Sequence, residues 1–96
     1  MAKQHRDWRA DVDAIRKILI TEWDPIGCGV PDDEYDSYIP VIYRLMQGRA
    51  GVVGLASHLE ELETQSMGLS ANPERNQRVA KLLLELMDES RTRHRI

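Results

Sequence analysis

A chain of 96 residues, 42% apolar and 30% charged with a formal net charge of -3, describes one globular domain over 1–96, with a single core and little room for an enclosed substrate cavity. The mildly acidic balance lacks the basic face that nucleic-acid binding requires, so no nucleic-acid partner is expected. One cysteine cannot make an internal disulfide, no apolar run approaches the ~20 residues of a membrane span, and the polar start lacks the apolar segment of a secretion signal. A cytoplasmic protein without membrane association is the expectation.

Residues 1–6 form a polar lead, after which Asp7 is placed to cap a helix. Trp8, Val12, Ile15, Ile18 and Leu19 recur at helical spacing and predict a first helix from 8 to about 23. Pro25 disfavours helical geometry at Asp24 and stops it there. Gly27 and Gly29 permit positive φ on either side of Cys28, and Ile26 and Val30 are the expected anchors of this turn.

Asp32 or Asp33 is expected to cap the second helix, whose stripe is Tyr35, Tyr38, Ile39, Ile42, Leu45 and Met46. Pro40 falls inside that stripe without shifting its phase. One helix over 33–47, kinked at Pro40, is preferred to a separate turn over 32–38 with the helix restarting at Pro40.

Gly48 ends that helix, and Val52, Leu55, Ala56, Leu59 and Leu62 predict a third over 50–66, with Glu60, Glu61 and Glu63 outside. Gly51 and Gly54 weaken its start, and close packing against another helix is the expected return. Asn72-Pro73-Glu74 combines a capping side chain, proline at the first helical position and an acid at the second. Val79, Leu82, Leu83, Leu86 and Met87, widened by Ala80 and Leu84, predict a last helix over 73–89 packed on more than one side. The tail 90–96 is basic and expected to fray. Four helices joined by short loops predict an all-α, compact four-helix bundle with antiparallel neighbours.

Six of the sixteen acids lie within 22–36, and no Lys or Arg falls between Lys17 and Arg44. Asp24, Asp32, Asp33, Glu34 and Asp36, with Tyr35 as a contact residue, are therefore the candidate partner-binding surface. A divalent-ion site is the competing use, but the acids match no calcium-loop spacing and already serve at a helix start. Cys28 has no histidine nearby in sequence to act as its base, and His58 with Glu61 reads as a surface hydrogen bond. No catalytic residue, metal ligand or cofactor is assigned.

The string Glu22-Trp23-Asp24-Pro25-Ile26-Gly27, followed by Asp33-Glu34-Tyr35, resembles the hallmark of the YugE-like proteins, a family of small bacterial helical proteins of unknown function. The likeness is strongest over 15–46. It implies a four-helix bacterial domain, with Trp23 as plug, Pro25 as stop and Gly27 as bend, and it carries no activity. Cys28, Pro40 and the Arg-rich tail lie outside the pattern.

The leading functional expectation is a non-enzymatic protein-interaction module that docks its acidic face on a basic partner, an immunity-type inhibitor being one concrete version. The alternative is a metal- or thiol-dependent small protein using the 24–36 loop. An obligate homo-oligomer is a third class, separable by mass in solution.

Overall fold

Four α-helices and no strand make up the described part of the chain: α1 (Trp8–Ile18), α2 (Ile39–Gln47), α3 (Gly51–Glu61) and α4 (Pro73–Arg93). The structure, a computed structural model, describes residues 8–27, 29–48 and 50–93. The expected lead 1–6, the Asp7 cap, Cys28 and the end of the tail at 94–96 lie outside the described residues, as does the side chain of Trp8.

Both α1 and α3 finish in a widened turn, Leu19–Trp23 and Leu62–Ser66. In each, the closing bond spans five residues: the Asp24 N–H donates to the Leu19 carbonyl at 2.8 Å and the Met67 N–H to Leu62 at 3.0 Å. The two segments share a threonine at the third position. Thr21 Oγ1 donates to the Lys17 carbonyl at 2.7 Å, and Thr64 Oγ1 to Glu60 at 3.0 Å. A hydroxyl that takes the carbonyl four residues back competes with the helical N–H for it, which loosens the last turn. The chain leaves α1 through Asp24 in the left-handed region (φ 32°), a conformation that Asp tolerates better than most residues.

Helix two corrects the sequence reading. Residues 31–38 form successive tight turns, with Glu34 N–H to the Pro31 carbonyl, Asp36 N–H to Asp33 and Tyr38 N–H to Tyr35, and the helix proper starts at Ile39. Pro40 sits in its first turn, where the backbone N–H has no helical acceptor, so its missing donor costs nothing and imposes no kink. The α2 start carries no side-chain cap, so neither Asp32 nor Asp33 performs that role.

Two further corrections follow. Gly51 adopts φ +68° with open space around its missing Cβ, so it serves the backbone entry to α3 rather than close helix packing. A Cβ on Gly54 would meet Ala50 Cβ of the same segment at 2.7 Å, not another helix. Helix α4 runs four residues past the expected end at 89, through the start of the tail that was expected to fray.

The core joins Ile15, Leu19 and Trp23 to Tyr35, Ile39, Ile42 and Met46, to Leu55, Leu59 and Leu62, and to Val79, Ala80, Leu83 and Met87. Helix α4 packs against all three other helices, which accounts for its wide apolar band. Ile26 and Val30 rest half-buried on this core, as expected of the turn's anchors. No described helix is long and apolar enough to cross a membrane.

Candidate functional site

The candidate site is the 22–36 segment, and its inner half is built by α1. Asp11, Ile15, Leu19 and Trp23 follow one another at four-residue intervals and are all buried, so the helix that supplies the core also drives Trp23 inward. Trp23 is 1% exposed, and its indole Nε1–H donates to Asn76 Oδ1 of α4 at 2.9 Å.

Asn76 is in turn held by Glu63, which is 0% exposed. Glu63 Oε1 accepts from Asn76 Nδ2 at 2.9 Å and from the Asn72 backbone N–H at 3.1 Å, while Oε2 accepts from Arg75 Nη2 at 2.9 Å. A carboxylate in the interior is tolerated only when donors surround it, and three do so here. Asn72 meanwhile caps α4, its Oδ1 accepting from the Arg75 N–H at 3.1 Å. One polar chain, Trp23–Asn76–Glu63–Arg75, thus ties the turn after α1 to the end of α3 and the start of α4.

A second set of bonds shapes the turn itself. Asp24 Oδ1 accepts from the Tyr35 hydroxyl at 2.8 Å and from the Gly27 N–H at 3.2 Å, and the Tyr35 oxygen accepts from the Ile26 N–H at 3.2 Å. Gly27 has φ +69°, a conformation that a side chain would strain. The Tyr35 ring leans on Trp23 with centroids 5.3 Å apart and planes tilted by 60°, an arrangement that suits the ring quadrupoles. Of the three residues expected as plug, stop and bend, Trp23 is buried and Gly27 has positive φ, while Pro25 follows the left-handed Asp24.

The expected partner-binding residues separate into two groups. Tyr35 is 1% exposed and belongs to the core, so the structure removes it from any docking surface. Asp24 is spent on the turn. Asp36 accepts from Arg16 through two bonds, Nε to Oδ1 at 2.9 Å and Nη2 to Oδ2 at 3.0 Å. Arg78 reaches Glu22 at 2.9 Å. The segment free of bases in sequence therefore receives two of them in space.

Asp32, Asp33 and Glu34 remain exposed, and among the described residues they make no side-chain hydrogen bond or ion pair. Among the described residues no group of three or more His, Cys, Asp or Glu side chains is arranged to hold a metal ion. His58 Nδ1 lies 3.8 Å from Glu61 Oε1, too far for the expected hydrogen bond.

The Tyr35 hydroxyl carries a measurable signature. Burial above all raises its pKa, the Ile26 N–H opposes that, and the Asp24 and Glu34 carboxylates add to the rise, bringing it from 10.0 to about 12. A pKa higher in the folded state means that the neutral phenol's contribution is intact below about 10 and is lost as pH rises through about 12. In a spectrophotometric titration of tyrosinate, Tyr35→Phe should remove a component titrating near 12. A variant curve missing only an ordinary component near 10 would contradict the buried Tyr35–Asp24 bond.

Asn76 and Glu63 were missed in the sequence, although a signal was present. Asn76 precedes Val79 by three residues and Glu63 follows Leu59 by four, so both stand at core phase on either side of one loop. No family model, curated protein or solved structure matches the chain, and the resemblance of the turn rests on its own residues.

Proposed function

We propose that this protein is a non-enzymatic interaction module that presents Asp32, Asp33 and Glu34 to a basic surface of a partner protein. The observation that carries the reading is the division of the acids. Glu22, Asp24 and Asp36 are paired within the chain, with Arg78, Tyr35 and Arg16, whereas three consecutive carboxylates are exposed and unpaired among the described residues. Paying no internal role, they are available for long-range steering, where complementary charge acts mainly on encounter rate and specificity. An inhibitor that covers the basic site of a toxin is the concrete version, acting in the cytoplasm. The Trp23 turn supports a place beside the YugE-like bacterial proteins, with the motif serving architecture rather than chemistry.

The test is the triple substitution Asp32→Asn, Asp33→Asn, Glu34→Gln. Its helical circular dichroism should match the parent, because these side chains hold nothing else in place. Association with a partner obtained by affinity capture should slow by about tenfold or more at low salt and lose most of its salt dependence. Unchanged association kinetics would overturn the reading. A separate expectation is that chelator leaves the thermal midpoint unmoved and that calcium, magnesium and zinc bind without stoichiometry. A calorimetric titration showing one tight divalent ion per chain would instead favour the metal-dependent alternative.

A further inference from the structure

Between α3 and α4 lies a recess of about 220 Å³, floored by Val52, Val53, Ala56 and Pro73, whose one charged lining residue is Glu60. It shares Val52 and Gln77 with a second recess of about 310 Å³, which follows α4 through Glu74, Gln77, Arg78 and Lys81. Val53 is 82% exposed, against 40% for Val41 and 36% for Leu69, the other large apolar side chains in the open among the described residues. With Val52, Ala56 and Pro73 beside it, it belongs to a patch rather than standing alone.

The charges along α4 are ordered. Glu74 and Lys81 stand seven residues apart, two turns or about 10 Å, at the two ends of the stripe that lines the second recess. Both are exposed, and among the described residues neither side chain has a hydrogen-bond or ion-pair partner. Arg78, between them, is held by Glu22 at 2.9 Å, so its charge is already met. Gln77 beside it is exposed, uncharged and able both to donate and to accept. A stripe with an acid at one end, a base at the other and an amide in the middle is its own complement when turned end for end.

We propose that the α3–α4 strip is the twofold interface of a homodimer. The α4 helices of two copies lie antiparallel, Glu74 of each against the partner's Lys81, with Gln77 near the axis and Val53 covered beside it. Exposed ion pairs add little affinity, so the covered apolar patch supplies the association and the charges fix its direction. A parallel pairing would set Glu74 against Glu74 and Lys81 against Lys81. None of Asp32, Asp33 and Glu34 lines either recess, so this interface stands or falls apart from the docking role of the acidic turn.

Sedimentation equilibrium of the full chain, from about 1 µM to about 1 mM, should show a reversible monomer–dimer equilibrium. Lys81→Glu and Glu74→Lys each create two like-charge pairs per dimer, and each should weaken association at least about tenfold. An equimolar mixture of the two variants restores both opposite-charge pairs and should recover the parent's dissociation constant to within about threefold. Val53→Asn should weaken association about tenfold, whereas Val41→Asn, on α2, should leave it unchanged.

A parent that stays monomeric at about 1 mM would overturn the proposal. So would a dimer indifferent to both reversals, which places the contact elsewhere, or variants that do not recover on mixing, which denies the antiparallel pairing. Where a variant does not fold by circular dichroism, the amide shifts of the parent on dilution decide. They should fall at Val52, Val53 and from Glu74 to Lys81, and shifts confined to other elements would overturn the interface.

Discussion

Glu63→Ala lowers the free energy of unfolding by about 3–5 kcal/mol, the cost of leaving a partly buried cation and two further donors without their acceptor. The carboxylate receives the Asn76 amide, the Asn72 N–H and the Arg75 guanidinium, so its removal orphans all three. Glu63→Gln keeps the shape and one carbonyl acceptor but turns an amide N–H₂ toward a donor, and its loss should fall between that of Ala and that of the parent. Urea unfolding followed by far-ultraviolet circular dichroism measures both. With domain stabilities of roughly 5–15 kcal/mol, Glu63→Ala removes a large share of the total. A loss below about 1 kcal/mol would mean that water replaces the carboxylate and that the site is not closed.

Trp23→Ala is the second large effect, also about 3–5 kcal/mol, the range for truncating a buried large aromatic. Part of it comes from the cavity beside Tyr35 and part from the unpaired Asn76 carbonyl. The same variant should expose Tyr35, because the rings support each other. Trp23→Phe retains apolar volume and removes the N–H, so it should cost less, and the difference between the two variants separates packing from hydrogen bonding. Equal losses would contradict that separation.

The bundle was legible because α1, α3 and α4 carry apolar residues at a steady helical period, with Pro25 marking the stop of the first and Asn72-Pro73 the start of the last. The place of Trp23, unlike that of its Asn76 partner, was also legible, since it continues the four-residue spacing of Ile15 and Leu19 to the helix end. Helix two was not. Pro40 preserves the phase of the apolar stripe, so periodicity alone cannot distinguish a proline inside a helix from one in its first turn.

The polar core escaped for a different reason. Glu63 and Asp11 occupy inward positions, where residue type alone argues for the outside. What compensates each is remote in sequence: Arg75 and Asn76 for Glu63, and the Tyr43 hydroxyl, which donates to Asp11 Oδ2 at 2.8 Å. The acidic surface was half legible for the same reason. Arg16 and Arg78 reach Asp36 and Glu22 across 20 and 56 residues of chain, and no local window contains such pairs.

The central claim is that the Trp23 turn is fastened from within by Asn76 and Glu63, and that of the acids in 22–36 it is Asp32, Asp33 and Glu34 that are left to face a partner. A double-mutant cycle between Trp23→Phe and Asn76→Ala tests it most directly. The account predicts a coupling of about 1 kcal/mol or more, because each single change already breaks the bond that the other would break. Losses that add to within about 0.3 kcal/mol would contradict it, since two residues without a shared bond behave independently.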